Sequence, residues 1–505
     1  MTTSISNPET SLATSDVAAA AVPAVPTDER LPFRPPHTLA SRFLFLIIST
    51  AIVLTALAYG TVHYWALSVF WLGALGILIF WLLDGWKLGT LRVSRNALQL
   101  PLLGMLVLAC VQLLPVGTPV TTAFIDASSL KTLSLDPYST RLVIVQLTSL
   151  LIYFAAVLVF TDTPHRFRLL VRTITIFGFF LAIFGLTQSF TSPTKVYWIR
   201  ELPQSTAFGP FINRHHFAGY MELTLALPLG LLFTGSLESE KRFIYLFAAV
   251  LMGVALIMTN SRGGIISLVA EILFLATVAG FRRKRKGREP ESRSGLIRSA
   301  ATRAALALAL IVALFAGVVL LGGESVLTRF VGTVNSEDPT TGRVHFWSVA
   351  VAIIQKHPVI GSGLGAFGLA YTRYDSHNGQ FRLEQAHNDY LQILSDGGTV
   401  AAVIALVFVI MLFRMGFSRR QSRDNFRRGV ATGALAGCFA VLVHSFFDFT
   451  LHTTSNALLF LILAGLATIN GRVEQVTSRH RKRRHRHHFE VASSSTRRLP
   501  ATDGA

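Results

Sequence analysis

A histidine flanked by an amide and two carboxylates stands at one end of a polar segment, in Glu384-Gln385-Ala386-His387-Asn388-Asp389-Tyr390. Imidazole exchanges protons near neutral pH, and a neighbouring carboxylate or amide fixes which ring nitrogen carries the proton. This group suits general-base work, with His387 taking the proton and Glu384, Asn388 and Asp389 supporting it. The same residues suit a helix start, because Asn388 and Asp389 are favoured N-caps ahead of the apolar pattern Tyr390, Leu391, Ile393 and Leu394. Three arginines form a second group. Arg262 sits in the short connector Thr259-Asn260-Ser261-Arg262-Gly263-Gly264. Arg343 opens a helix-like stretch in Thr341-Gly342-Arg343-Val344-His345-Phe346-Trp347, and Arg214 precedes an apolar run in Asn213-Arg214-His215-His216. Guanidinium forks grip phosphate oxygens in pairs, so several on one face suit a diphosphate. The plainer reading is that each reaches for lipid headgroups or caps a helix.

The elements that must hold these groups are membrane spans. Of 505 residues, 51% are hydrophobic and 14% charged, with a mean hydropathy of +0.51. That balance belongs to a polytopic membrane protein rather than a soluble domain. Twelve apolar runs begin near Phe43, Trp65, Ala97, Leu142, Leu169, Phe217, Phe243, Gly264, Ala304, Thr399, Val430 and Asn456. Most approach the roughly 20 residues a helix needs to cross hydrocarbon. Barrel strands would alternate apolar and polar positions, and these runs are continuous, so the spans are helical. The expected fold is therefore all-α: a polytopic helical membrane protein of about twelve transmembrane helices with one large, partly helical outer loop.

Lys and Arg set the expected orientation. Lys87, Arg92 and Arg95, then Arg166 and Arg168, then Lys241 and Arg242, then the run 282–288, then Arg419, Arg420, Arg423, Arg427 and Arg428 fall in alternate connectors. Residues 60–64, on the opposite side, carry no Lys or Arg. Both termini are expected in the cytoplasm, in a bacterial inner membrane. The expected division is a disordered leader at 1–40, nine spans at 41–321, an outer (periplasmic) loop at 322–398, three spans at 399–470 and a basic tail at 471–505. The leader lacks the apolar core of a cleavable signal peptide. The net charge of +19 sits mostly in connectors and tail, where it suits anionic membrane lipids rather than nucleic acid. Cys110 and Cys438 each lie within an apolar run, so no disulfide framework is implied. Glu222 and Glu271 also lie in apolar runs, and acids there usually face the bundle interior or a cavity. Pairing with Arg214 or Arg262 would make them a structural ion pair or part of a substrate contact.

Ser261-Arg262-Gly263, Arg343 with Trp347, the turn Pro358-Val359-Ile360-Gly361-Ser362-Gly363-Leu364-Gly365, His387-Asn388-Asp389-Tyr390-Leu391 and His444-Ser445-Phe446-Phe447-Asp448 occur in this order over roughly residues 205–465. In these pieces the chain resembles the O-antigen ligase and polymerase superfamily, integral glycosyltransferases that use undecaprenyl-diphosphate-linked glycans. The ligase pattern of His-Asn followed by a Gly-rich end fits through Gly398 and departs at Ala401. The resemblance implies transfer of an activated glycan to a lipid or saccharide acceptor. It also implies no cofactor and no metal, which agrees with the lack of sensibly spaced metal ligands. Arg262 and Arg343, with Arg214, would neutralise the departing diphosphate, His387 would take the acceptor proton, and Asp448 would support the site. Attack opposite the leaving group would invert the anomeric centre. A solute transporter is the rival from another class, although no half-chain repeat is present. Transfer to protein by an oligosaccharyltransferase of the same fold changes only the acceptor.

Overall fold

The computed structural model describes residues 37–116, 132–202, 207–280, 293–334, 343–376, 383–420, 422 and 424–469. The leader through residue 36, the run 281–288, Arg382, Arg423 and the basic tail lie outside the described residues.

Helices follow one another along the chain. They are α1 Leu39–Leu57, α2 Tyr64–Leu88, α3 Gln99–Gln112, α4 Pro137–Phe160, α5 Pro164–Thr191, α6 Arg214–Phe233 and α7 Ser239–Met258. After these come α8 Arg262–Val278, α9 Arg293–Val334, α10 Arg343–Lys356, α11 Phe367–Tyr374, α12 Asp389–Arg419, α13 Asn425–His444 and α14 Thr454–Thr468. A small hairpin, β1 Lys195–Val196 with β2 Arg200–Glu201, follows α5. The protein is thus an all-α multi-pass membrane protein. Among the described residues, nine helices are long and apolar enough to cross a bilayer. The three remaining apolar runs form shorter helices: α3 with 14 residues, α8 with 17 and α14 with 15. Helix α9 continues past Gly322 to Val334, beyond the point where the outer loop was expected to begin. Hydropathy marks where an apolar run stops, and backbone hydrogen bonding can carry the helix further.

Helix α6 is the centre of the bundle, with 94% of its most apolar window buried inside the protein. It packs most extensively against α13. Small residues let the two backbones close: a Cβ on Gly230 would lie 2.3 Å from the Gly433 Cα. Without a hydrophobic difference between lipid and side chain, such close contact is a main source of helix association in membranes.

Helix α12 is two helices joined at Gly398, whose φ of 64° and ψ of −164° are non-helical. The turn at 358–365 fills this break. Thr399 N–H donates to Pro358 O at 2.9 Å and Val400 N–H to Val359 O at 3.1 Å. In return, Ser362 N–H donates to Ser395 O at 2.8 Å and Gly363 N–H to Asp396 O at 2.9 Å. A side chain on Gly398 would meet Val359 O at 2.3 Å, in a backbone region that glycine alone enters freely. The buried Gln112, at the end of α3, binds both halves. Its amide donates to Ile360 O at 2.6 Å and Asp396 O at 2.9 Å, and its oxygen accepts from Leu364 N–H at 2.8 Å. Backbone groups freed by the break are thereby satisfied within the protein, as they must be near hydrocarbon. This clamp fixes the short first segment of α12, which carries the histidine cluster.

Candidate active site

Four helices start at one end of the bundle, around the segment joining α13 to α14. Asn213 caps α6 by accepting from His215 N–H at 2.9 Å, and Ser261 caps α8 by accepting from Gly264 N–H at 3.2 Å. Asn388 caps α12 through Tyr390 N–H at 3.0 Å and Leu391 N–H at 3.1 Å, while α10 begins at Arg343. Helix N-termini carry unsatisfied N–H groups and a partial positive charge, so this end favours anions.

Asp448, 1% exposed, is the hub. Its Oδ1 is 3.2 Å from His387 Nδ1 and accepts from Phe449 N–H at 2.9 Å. Its Oδ2 is 3.5 Å from an Arg343 terminal nitrogen and 3.7 Å from His215 Nδ1. Burial pushes this carboxyl up, but the His387 hydrogen bond and the electrostatic pull of the surrounding imidazoles, His215, His387 and His216, outweigh it and hold Asp448 well below the usual carboxylate range. An ionised Asp448 accepts the His387 Nδ1 proton and leaves Nε2 with its lone pair. Among the described residues, none hydrogen-bonds that Nε2.

His387 has a φ of 52°, in the left-handed region. For a residue other than glycine that geometry costs roughly 1–3 kcal/mol and persists only where the surroundings dictate it. Here both neighbours are pinned. Ala386 N–H donates to Gln392 Oε1 at 2.6 Å and Ala386 O accepts from Trp347 Nε1 at 3.1 Å. Asn388 Nδ2 donates to Phe446 O at 3.1 Å, and Asp389 N–H to Ser445 O at 2.9 Å. The Phe449 ring meets the His387 ring edge-on at 4.8 Å.

The other expected site residues fall as follows. Arg343 donates to Phe447 O at 2.6 Å as well as approaching Asp448. Arg214 is the first residue of α6, beside His215. Arg262 is the first residue of α8, half-buried, next to a Gly263 packed so closely on His444 that a Cβ there would lie 2.6 Å from its ring. Asn388 is a cap and a tether. Asp389 accepts from the Ser445 hydroxyl at 2.8 Å and pairs with His452 Nδ1 at 2.8 Å. Glu384 is exposed and lies across Gly368 of α11. The carboxylate bound to His387 is thus Asp448, from 61 positions away, rather than a chain neighbour. Glu222 is bonded to His444 Nδ1 at 2.7 Å and to the Ser267 hydroxyl at 2.6 Å. Glu271 has neither carboxylate oxygen hydrogen-bonded among the described residues.

The pair His452–Asp389 gives a pH dependence. Burial lowers the His452 pKa, but the Asp389 hydrogen bond and charge, with the charge of Asp396, outweigh it and raise it. A raised folded pKa contributes stability that is complete below the unfolded value near about 6.5 and is lost as pH climbs through the folded value. Thermal midpoints of the parent should therefore fall relative to His452→Gln as the buffer moves from mildly acidic to alkaline. Parallel curves for the two proteins would show that the pair contributes nothing.

The fold is that of a helical multi-pass membrane protein, and one end of its bundle gathers a histidine–carboxylate–arginine cluster. Residues 247–406 match the family model O-antigen ligase (Wzy_C), a match that supports the O-antigen ligase/polymerase superfamily. The match contains Arg262, Arg343 and His387 and supports a role in glycan transfer. No curated protein matches the chain.

Proposed function

We propose that this protein is an inverting, metal-independent glycosyltransferase of the bacterial inner membrane. It moves or polymerises a glycan from an undecaprenyl-diphosphate donor onto a lipid or saccharide acceptor on the outer face. The observation that carries this reading is the His387–Asp448 pair: a buried carboxylate holds one imidazole nitrogen and leaves the other as a base. The acceptor hydroxyl gives its proton to His387 Nε2 as its oxygen bonds to the anomeric carbon. The bond from that carbon to the diphosphate oxygen breaks, and the electron pair leaves with the lipid diphosphate. Arg343, Arg262 and Arg214, with the four helix N-termini, offset the charge on the leaving group. The family match over residues 247–406 favours this reading over a solute carrier.

Topology tests this reading, because the donor glycan must meet His387 outside. Reporter fusions after Gly89 and Arg420 are expected to signal cytoplasm, and a fusion after Asp375 is expected to signal the outer side. A cytoplasmic signal at Asp375 would separate His387 from an outward-facing donor and end the proposal. Incubating the purified protein with an undecaprenyl-diphosphate glycan and acceptor-bearing membranes should then yield transferred glycan and free lipid diphosphate.

A further inference from the structure

One imidazole beside Asp448, and the buried chain behind it, have no part in the reaction above. Glu222 on α6 and His444 at the end of α13 are both fully buried. The Glu222 oxygen that faces His444 also accepts the Ser267 hydroxyl. A carboxylate oxygen accepts, so His444 carries its proton on Nδ1 and turns Nε2 toward Ser261 Oγ, 3.4 Å away. In neutral His444 that nitrogen is an acceptor, and the serine hydroxyl donates to it. Ser261 then has lone pairs for Gly264 N–H and for His215 Nδ1, which is 2.8 Å away.

The order Ser261–His444–Glu222 has the geometry that activates a serine nucleophile elsewhere. Here all three side chains are buried, Ser261 at 0% exposure, so no glycan can reach the hydroxyl. What the chain does reach is His215. Both neighbours of its Nδ1, the Ser261 oxygen and Asp448 Oδ2, are acceptors. The His215 proton therefore sits on Nδ1 and the lone pair on Nε2. That side chain remains 20% exposed, against 25% for His387. Among the described residues, none hydrogen-bonds its Nε2. Two imidazoles thus turn Nδ1 toward opposite oxygens of one carboxylate, and each keeps a free acceptor nitrogen.

We propose that His215 Nε2 accepts a hydrogen bond from a second hydroxyl of the acceptor, so that the site takes a sugar ring with two free hydroxyls, and that Ser261, His444 and Glu222 are positioning residues that hold the His215 proton on Nδ1. The inference rests on His387 being the base. It narrows the acceptor to a saccharide, because a serine or threonine side chain offers one hydroxyl.

Nitrogen-15 NMR of the full-length, histidine-labelled protein in bilayers reads the tautomer without any ligand. The imidazole that disappears in His215→Gln is expected to be protonated on Nδ1 in the parent. Glu222→Leu removes the acceptor for His444 and lets its proton move to Nε2. The serine hydroxyl then turns to His215, and the His215 signal shifts toward the Nε2-protonated form. Glu222→Gln keeps an acceptor oxygen and should preserve the parental tautomer. A parent protonated on Nε2, or a tautomer unmoved in Glu222→Leu, overturns the positioning role. Kinetics on membranes of a strain lacking the gene, which carry unused acceptor, read the contact itself. His215→Leu should raise the acceptor KM on the order of tenfold, the scale of one hydrogen bond, with kcat within a few-fold. His215→Gln should restore much of that loss. An unchanged KM in His215→Leu removes the second contact. Parental transfer by His387→Ala would instead remove the base, and the two failures are distinct.

Discussion

Replacing His387 by alanine is expected to abolish glycan transfer or reduce it on the order of 10²–10⁴-fold, the usual contribution of a positioned base. Donor binding should survive, because the diphosphate is assigned to arginines and helix N-termini. Asp448 keeps Arg343 at 3.5 Å and His215 at 3.7 Å in that variant, so the buried carboxylate retains cationic and donor partners and the fold persists. Size-exclusion behaviour in detergent checks the fold, and release of lipid diphosphate measures transfer. His387→Gln is the sharper variant, since it keeps a hydrogen bond and cannot take a full proton. Parental turnover in His387→Gln would mean that this position orients the acceptor and that no base acts here.

The arginines should be nearly as sensitive. Arg343→Lys keeps the charge and loses the planar fork that reaches Phe447 O and Asp448 together. Arg262→Lys makes the corresponding change at the start of α8. Each is expected to lower transfer by roughly 10²–10³-fold, as for removal of one donor to a developing anion, with normal insertion in the membrane. Transfer and membrane abundance measured side by side separate chemistry from biogenesis. Full activity in both lysine variants would reduce these arginines to interfacial anchors.

The spans were legible in the sequence because a continuous apolar run of about 20 residues has few other fates in a folded chain. Their ends were less legible. The run near Gly264 becomes a helix beginning at Arg262 because Ser261 caps it, and caps do not register in hydropathy. The break at Gly398 depends on a turn more than thirty positions earlier, whose glycines alone fit it. His387, Arg343 and Arg262 stood out because their types are costly to keep beside a membrane without use. Their connections did not stand out. Asp448 is 61 positions from His387, and Glu222 is 222 positions from His444. Both pairs form because α6 and α13 pack together and bring the end of α13 to the start of α12. The sequence offered Arg214 or Arg262 as one partner for Glu222 or Glu271; the bond Glu222 forms is to a histidine. His215 escaped notice because its value lies in partners on α8 and beyond α13, not in its neighbours.

The carboxylate that joins these groups is supplied late. His215, Arg262, Arg343 and His387 all leave the ribosome before Asp448 does, and they come from four separate helix starts. A nascent chain halted short of α13 therefore holds every arginine of the site and its histidine base, yet lacks the carboxylate that His387, His215 and Arg343 share. A chain ending before α13 is therefore expected to lack the proposed transfer even where its earlier helices insert and pack.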